Sequence, residues 1–360
     1  MIFPFTAIVG QEEMKLGLIL NVINPSIGGL LIMGEKGTAK STAVRALAEL
    51  LPEIETVKGC PFNCDPDGPL CTGCRETLEK EGRLERERKK MKVVELPLGV
   101  TEDRLIGTLD IEHAIKKGEK RFEPGILAGA NRNFLYVDEV NLLEDHIVDL
   151  LLDSAAMGVN TVEREGVSFT HPARFILVGT MNPEEGDLRP QLLDRFGLCV
   201  QVGSIANKAE RVEILRRKAA FDADPEKFTA EWQTGQDMLS KRIEAAKERL
   251  GHIRPSDTVL EQIVSITASL ELDGHRADIV MMKAAMTLAA FRSAGEDEHK
   301  DMRLMSGPSY MASTITGDDI RDVAGPALSH RMKRLPFEAM GMDMRRLEAA
   351  LSMGFSHDVQ

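Results

Sequence analysis

The chain has 360 residues, more than one hydrophobic core usually holds, so its length predicts one large domain and one smaller domain. Of its residues 43% are hydrophobic and 28% are charged, which is typical of ordinary globular proteins and not of disordered chains. The sequence contains no apolar run of about 18 residues, and its amino terminus lacks a basic stretch followed by an apolar signal core. We therefore expect a cytoplasmic protein without a membrane span.

The charge balance is acidic, because 45 basic residues stand against 57 acidic residues and give a formal net charge of −12. Such a balance opposes binding along a phosphate backbone unless basic residues gather on one surface. One dense basic group contains Arg83, Arg86, Arg88, Lys89, Lys90 and Lys92. Glu85 and Glu87 interrupt this group, and mixed signs at such spacing are typical of a solvated face. No nucleic-acid partner is expected.

Short apolar runs alternate with helical patterns as far as about residue 205, which predicts an α/β fold with a parallel sheet covered by helices. The candidate buried strands are residues 30–33, 134–137 and 175–178. A helical pattern at residues 41–51 directly follows the first of them. From about residue 230 the patterns are helical only, beginning with an apolar stripe of Leu239, Ile243, Ala246 and Leu250.

These patterns predict a nucleotide-binding domain at residues 1–228 and a smaller all-helical domain at residues 229–360. Within the second domain, residues 293–313 mix charge, glycine and proline as a connecting loop does. Thr316 and Asp319 fit a capping box, the pattern in which two side chains bond each other's backbone at the start of a helix.

A phosphate-binding loop is predicted between the first strand and its helix, with the sequence Gly34, Glu35, Lys36, Gly37, Thr38, Ala39, Lys40, Ser41. Small residues let backbone N–H groups point at phosphates, Lys40 reaches the β and γ oxygens, and the Ser41 hydroxyl coordinates Mg²⁺. Thr42, in the same helical turn, completes the candidate ATP-binding residues. Ala39 stands where a second glycine is usual, and we expect this departure to be mild because alanine tolerates helical backbone angles. The alternative is a glycine-rich turn with an incidental lysine.

Polar residues follow the two later strands. Asp138 and Glu139 come directly after residues 134–137, where the first carboxylate is predicted to hold Mg²⁺ and the second to polarise the attacking water. Asn182 follows the next strand and is placed to hydrogen-bond the γ-phosphate or the same water, although an Asx turn before Pro183 is the alternative. Polar groups at the carboxyl ends of parallel strands face the ligand crevice of open α/β sheets.

Two arginines are candidates for contact with the phosphates. Arg195 is a candidate arginine finger, a residue that neutralises charge on the γ-phosphate of a neighbouring subunit. Arg276 begins a helix of the second domain and is a candidate for contact from that side. On spacing alone, the alternative for each is an ordinary ion pair at the surface.

Long stretches of the chain resemble the ATPase (I) subunit of magnesium chelatase, a family of the AAA+ superfamily. They comprise the phosphate loop and residues 5–11, 96–104, 122–125, 136–143, 161–166, 182–186 and 188–197. The resemblance implies an ATP-dependent ring, usually a hexamer, that drives metal insertion into a porphyrin. It also implies two partners, a middle subunit with an integrin-like domain and a large catalytic subunit that binds the porphyrin.

By match of motif, the resemblance places Asn182 at the sensor-1 position, Arg195 at the arginine finger and Arg276 at sensor 2. It places Val9, Gly10 and Gln11 against the adenine of ATP. It further implies an inserted helix-bearing element at residues 101–117 and a hairpin at residues 160–171.

Four cysteines distinguish this chain from the plant and cyanobacterial members of the family it resembles, which lack the cluster. Cys60, Cys64, Cys71 and Cys74 lie within fifteen residues, in a loop at 59–75. Such clustering in a cytoplasmic protein favours thiolate ligation of a metal, with Zn²⁺ as the first candidate and an iron–sulfur cluster as the second. A redox disulfide or unpaired thiols are the alternatives. The fifth cysteine, Cys199, is predicted to be buried on a strand.

Three functions are consistent with these patterns. The first is the motor subunit of a magnesium chelatase, and a closely related one is the motor subunit of a cobalt chelatase. The third is a remodelling or nucleic-acid-translocating AAA+ protein of the MoxR or MCM kind, in which the cysteines form a zinc module that binds a macromolecule. The acidic charge and the long chelatase-like motifs favour the first.

Overall fold

The structure is a computed structural model that describes residues 1–109, 122–164, 167–272, 274–296, 314–332 and 344–355. Helices and strands are numbered here in chain order. The helices are α1 (Glu12–Ile23), α2 (Lys40–Leu50), α3 (Thr72–Glu81), α4 (Glu102–Ile106), α5 (Ile126–Ala130), α6 (Asp145–Met157), α7 (Pro190–Arg195), α8 (Lys208–Ala223), α9 (Pro225–Leu250), α10 (Asp257–Ser269), α11 (Arg276–Glu296), α12 (Gly317–Leu328) and α13 (Met344–Gly354). The strands are β1 (Leu30–Gly34), β2 (Ile54–Val57), β3 (Arg86–Lys89), β4 (Val93–Leu96), β5 (Gly107–Leu109), β6 (Phe122–Pro124), β7 (Phe134–Val137), β8 (Val159–Arg164), β9 (Val167–Pro172), β10 (Ile176–Met181) and β11 (Leu198–Val202).

The chain divides into two compact units. The first consists essentially of Phe3–Thr38 and Asp187–Gln360. In it β1 and β11 run parallel, with Leu30 opposite Leu198 and Gly34 opposite Val202. The helix α1 packs against β11, α9 packs against α11, and α11 packs against α12.

The second unit is essentially Ala39–Gly186 and contains three parallel strands of the central sheet. β7 lies between β4 and β10, with Phe134 opposite both Val93 and Ile176. Every residue of β7 and β10 is buried, as expected for strands that are covered on both faces. Three antiparallel pairs complete this unit, namely β2 with β3, β5 with β6, and β8 with β9.

The predicted α/β class is confirmed, with parallel strands followed by a helical carboxyl-terminal region. The three predicted strands correspond to β1, β7 and β10, and the predicted helix at 41–51 corresponds to α2. The predicted domain boundary at residue 228 stays a prediction, and α9 runs across that residue. None of the helices among the described residues is both long and apolar enough to cross a membrane.

Three smaller predictions concern connections. The hairpin predicted at 160–171 is confirmed by β8 and β9, while its turn at 165–166 lies outside the described residues. The loop predicted at 293–313 begins too early, because α11 continues to Glu296, and residues 297–313 lie outside the described part. Of the element predicted at 101–117, the described part contains α4 and β5, and residues 110–117 lie outside it.

The predicted capping box at the start of α12 is confirmed. The Asp319 N–H donates to Thr316 Oγ1 at 3.2 Å, and the Thr316 N–H donates to Asp319 Oδ2 at 2.8 Å. The buried Asp319 carboxylate also accepts a bond from Arg292, whose Nη1 lies 2.6 Å from Oδ1. This cap therefore ties the start of α12 to α11.

We expect Thr316→Ala to lower the free energy of unfolding by about 1 kcal/mol, because the Asp319 N–H loses its side-chain acceptor. Denaturant unfolding followed by circular dichroism measures this loss. The matched control is Thr258→Ala, at an exposed position in the first turn of α10, which should change stability by less than about 0.5 kcal/mol. Equal losses in the two variants would contradict a specific capping role.

Candidate functional site

The first half of the predicted phosphate loop is built on glycine. Gly34 ends β1 with a φ of +152°, and a Cβ at this position would lie 1.9 Å from the backbone oxygen of Val202. No other residue type fits there without moving β11. Gly37 has a φ of +83°, also in the region that favours glycine. The Thr38 hydroxyl donates to the Glu35 backbone oxygen at 2.9 Å and closes the turn.

Ala39 departs from the prediction made for it. Its φ of 62° and ψ of 20° lie in the left-handed region, not in the helical region that we expected alanine to tolerate. An L-residue with a Cβ pays roughly 1–2 kcal/mol for this conformation, and glycine does not. The departure from the usual glycine is therefore a strained one, and it lies immediately before α2.

The second half of the loop is the first turn of α2, which holds Lys40, Ser41 and Thr42. The N-terminus of a helix carries partial positive charge on backbone N–H groups that point out of the helix, so it favours an anion. With the glycine turn before it, this is the strand–loop–helix context that the prediction required. The residues present therefore suit a phosphate group.

The predicted magnesium-binding carboxylate, Asp138, lies in a small network at the ends of β7 and β10. Its Oδ1 accepts a bond from the Thr180 hydroxyl at 2.6 Å and another from the Tyr136 hydroxyl at 3.0 Å. The Thr180 Oγ1 in turn accepts the Glu139 N–H at 3.1 Å. Burial, together with the neighbouring Asp138 carboxylate, raises the pKa of Tyr136, so its phenol remains a donor.

Sequence reasoning missed Thr180 and Tyr136, of which Tyr136 lies in the predicted strand at 134–137 and Thr180 lies two residues beyond the predicted strand at 175–178. Because β7 and β10 are parallel and in register up to Val137 and Gly179, the residues that follow, Asp138 and Thr180, become neighbours. The register of the two strands was the missing information.

Glu139 and Asn182 are the two remaining predicted site residues at these strand ends. Glu139 is left-handed, with a φ of 53°, and begins a short 3₁₀ turn. Asn182 accepts the Glu184 N–H on its side-chain oxygen at 3.3 Å. This bond forms the Asx turn that was the alternative for Asn182. The turn uses the side-chain oxygen, whereas contact with a phosphate would use the Nδ2 group. The Asx turn and the predicted contact are therefore compatible.

The two candidate arginines lie in the first unit, near Asp194. The Arg276 Nη1 donates to Asp194 Oδ2 at 2.5 Å, so the ion pair named as its alternative is formed in this structure. Arg195 is the last residue of α7 and is half-buried. Their predicted roles toward a nucleotide stay predictions.

A third arginine, Arg331, bonds Asp194 and Phe196 on either side of Arg195 and was not predicted from the sequence. Its side chain is 3% exposed, its Nε donates to Asp194 Oδ1 at 3.1 Å, and its Nη2 donates to the backbone oxygens of Asp194 and Phe196 at 2.8 and 2.6 Å. Burial lowers the pKa of Arg331 to about 10, which still leaves it charged at neutral pH. Arg331 thus fixes the backbone on both sides of Arg195.

The segment predicted to contact adenine also lies in the first unit. Gly10 and Gln11 both have positive φ, at 65° and 57°. The Gln11 Nε2 donates to the Gly203 backbone oxygen at 3.1 Å, and a Cβ on Gly10 would lie 2.9 Å from the Ile205 side chain. Val9 to Gln11 therefore pack beside the chain that leaves β11.

Four members of the basic group at residues 83–92 form ion pairs with carboxylates, namely Arg86, Arg88, Lys89 and Lys90. Arg86 bonds Asp67 Oδ1 at 2.6 Å and Glu55 Oε2 at 3.1 Å, and Lys58 bonds Glu85 Oε2 at 2.9 Å. These side chains are largely exposed, so each pair contributes little to stability.

The predicted convergence of the four cysteines is confirmed. The sulfur atoms of Cys60, Cys64, Cys71 and Cys74 all lie within 4.8 Å of one another, and all four residues are buried. The Sγ atoms of Cys60 and Cys71 are 3.9 Å apart, well beyond the length of a disulfide bond. Hydrogen bonds from the Cys64 and Cys71 thiols lower the pKa of Cys60, whereas hydrogen bonds with Cys60 and Cys71 raise the pKa of Cys64. Cys199 is buried on β11 as predicted, and burial raises its pKa to about 12.

The parallel sheet, the phosphate loop and the helical region together define a P-loop protein of the AAA+ class. Residues 260–302 match the AAA lid domain, and residues 111–191 match the family described as magnesium chelatase, subunit ChlI. A putative ATPase of Cytophaga hutchinsonii has a similar fold, with a TM-score of 0.60 at 17% identity, covering 96% of this chain and 90% of that chain.

Similarity to magnesium-chelatase subunits extends over nearly the whole chain. A ChlI homolog of Methanocaldococcus jannaschii is 55% identical, over 98% of this chain and 91% of the relative. The chloroplastic ChlI-2 subunit of Arabidopsis thaliana is 49% identical, over 94% of this chain and 77% of the relative. A cryo-EM structure of the complex between subunits BchI and BchD of magnesium chelatase matches with a TM-score of 0.54 and 48% identity, covering 97% of this chain and 99% of that chain. The chain belongs to the ChlI subunit family of magnesium chelatase.

The Thr180 network gives a prediction about stability. We expect Thr180→Val to lower the free energy of unfolding by about 2 kcal/mol, because the Glu139 N–H loses its acceptor and Asp138 loses a donor. Thr180→Ser keeps the hydroxyl and is the matched control, with a smaller loss. Denaturant unfolding compares the two variants. A loss as large in the serine variant would mean that packing of the methyl group matters, not the hydroxyl.

Proposed function

We propose that this chain is the ATPase subunit of a magnesium chelatase, in which ATP hydrolysis drives insertion of the metal into protoporphyrin by a partner subunit. The observation that carries this proposal is the strand–loop–helix phosphate site from Gly34 to Ser41, in a chain that belongs to the ChlI family. The metal that is inserted is a substrate of the assembly and is not held by this subunit.

Each candidate residue has a role in this proposal. The loop from Gly34 to Ala39 binds the phosphates through its backbone, with Glu35 and Thr38 closing the turn. Lys40 neutralises the β and γ oxygens. Ser41 and Asp138 would hold the Mg²⁺ that accompanies ATP, an ion that screens phosphate charge.

Glu139 and Asn182 are proposed to act on the attacking water. Glu139 accepts the proton of the water as a general base, and Asn182 orients the water or the γ-phosphate through its Nδ2 group. Thr180 holds the Asp138 carboxylate and the Glu139 backbone in place, because its hydroxyl donates to Asp138 and accepts the Glu139 N–H. Val9, Gly10 and Gln11 lie against the adenine.

The active assembly is a ring of subunits, which we propose to be a hexamer. Arg195 then acts on the ATP of the neighbouring subunit as an arginine finger, and Arg276 contacts the phosphates as sensor 2. The cryo-EM structure of BchI with BchD supports the first proposed partner, the middle subunit with an integrin-like domain. The porphyrin-binding catalytic subunit is the second proposed partner, and a cytoplasmic location is proposed for the assembly.

The direct experiment is an assay of metal insertion by the chain with its natural partner subunits. We expect Mg²⁺ to enter protoporphyrin only when all subunits and ATP are present, with fluorescence of the metalloporphyrin as the readout. Insertion of Co²⁺ but not Mg²⁺ would favour the cobalt-chelatase alternative. ATPase activity that is unaffected by these partners but stimulated by another macromolecule would favour a remodelling function.

Two substitutions separate ATP binding from hydrolysis. We expect Lys40→Ala to abolish nucleotide binding or turnover, since phosphate charge then lacks its cation. We expect Glu139→Gln to bind ATP yet hydrolyse it at least about a hundredfold more slowly, since the amide cannot accept a proton. Binding of a fluorescent ATP analogue and phosphate release are the measurements. Wild-type turnover in Lys40→Ala would refute the site, and lost binding in Glu139→Gln would refute the role of Glu139.

A mixing experiment tests whether the active site is shared between subunits. Arg195→Ala rings should bind ATP but turn it over poorly. Mixed with Lys40→Ala subunits, they should regain activity, because some interfaces then pair an intact phosphate loop with an intact arginine. No recovery in mixtures shown by mass photometry to co-assemble would count against sites shared in this way.

A further inference from the structure

We propose that Cys60, Cys64, Cys71 and Cys74 bind one Zn²⁺ ion. This ion takes the place of a hydrophobic core in the excursion, which is the connection between β2 and β3 at residues 58–85. This site is structural, and its four ligands are not among the residues proposed to bind ATP. It goes beyond the proposed ATPase function and does not depend on it.

The geometry suits one tetrahedral ion. With Zn–S bonds of about 2.3 Å, the sulfur atoms of a regular tetrahedral site lie about 3.8 Å apart. The 3.9 Å between Cys60 and Cys71 matches this edge, and all six sulfur–sulfur distances are 4.8 Å or less. An iron–sulfur cluster sets several iron and sulfide atoms between its thiolates and needs wider spacing, so a mononuclear site is favoured.

Few buried side chains other than the cysteines attach the excursion to the rest of the protein. In α3, all of which the structure describes, Cys74 is the buried residue, so no apolar stripe fixes this helix to the protein. The buried cluster around the sulfurs adds only Val57, Phe62 and Ala128, with a few partly buried neighbours. Since so small a segment cannot build a sufficient core, a bound metal is the usual substitute.

The backbone is arranged to receive thiolates. Cys71 is the N-cap of α3 and Cys74 lies in its first turn, where the positive end of the helix favours negative sulfur. The Cys71 N–H donates to the Cys64 sulfur at 3.1 Å, a bond of the kind that orients metal ligands. The other two ligands bond the end of β2, because the Val57 N–H donates to the Cys64 backbone oxygen at 2.9 Å and the Cys60 N–H donates to the Val57 backbone oxygen at 3.2 Å.

The zinc site also braces two strands of the same unit, β6 and β9. Phe62, between the first two ligands, lies 6.4 Å from the Phe122 ring of β6 and 5.8 Å from the Phe169 ring of β9. Its backbone oxygen accepts a bond from Asn131 Nδ2 at 2.7 Å. Loss of the ion should therefore loosen β6 and β9 as well as the excursion itself.

The test begins with metal analysis of protein purified without oxygen and without a histidine tag. We expect about one zinc per chain in the wild type and less than about a tenth of that in Cys64→Ser. Cys199→Ser is the matched control, since Cys199 is equally buried but lies on β11, and it should keep its zinc. Cys74→His should also keep zinc, because a Cys₃His set binds the ion tetrahedrally. Replacement by Co²⁺ should give the visible absorption of a tetrahedral thiolate site.

A second measurement covers the case in which Cys64→Ser fails to fold. Removal of zinc from the wild type with a chelator should lower Tm and speed amide hydrogen exchange in α3, β6 and β9, while binding of an ATP analogue persists. Wild-type protein without metal, or zinc retained in Cys64→Ser, would overturn the proposal. Iron, with or without sulfide, would overturn the identity of the ion, and a disulfide between any two of the four residues would overturn the site.

Discussion

The parallel pairing of β7 with β10 is the constraint on which the candidate catalytic groups depend. Two parallel strands in register end at the same level, so the residues that follow them, Asp138 and Thr180, are brought within hydrogen-bond distance. One hydroxyl then serves two neighbours, because it donates to Asp138 and accepts from the Glu139 backbone. The Asp138 carboxylate and the Glu139 backbone are therefore held in place by protein groups, and such preorganisation is what electrostatic catalysis requires.

A second constraint is the position of Asp194, the residue that precedes the proposed arginine finger in the chain. Arg331 holds this residue through its side chain and its backbone, and Arg276 shares the same carboxylate. The residue proposed as sensor 2 and the residue next to the proposed finger are thus directly linked. If a nucleotide draws Arg276 away, Asp194 loses one of its two cations, and the environment of Arg195 changes with it. In the proposed ring, this link would be a physical route from ATP bound near Arg276 to Arg195.

Much of the fold and of the site could be predicted from the sequence. The strands β1, β7 and β10 are continuous apolar runs followed by polar residues, and the phosphate loop, the capping box and the cysteine cluster each depend on residues close in sequence. What could not be predicted depends on residues far apart in sequence. The role of Thr180 required the register of two strands, and that of Arg331 required packing across more than a hundred residues. The left-handed backbone of Ala39 was missed because a residue type does not fix φ.

The ends of the cysteine-bearing excursion meet at neighbouring positions. Val57 of β2 stands opposite Arg86 of β3, and the Lys58 N–H still bonds the Glu85 backbone oxygen. A chain that leaves and returns at adjacent positions can be shortened to a tight turn while the two strands stay paired. The entropic penalty of a longer connection also grows only slowly with its length. The length of the excursion can therefore change while β2 and β3 stay paired, but its complete excision would remove the packing of Phe62 against β6 and β9.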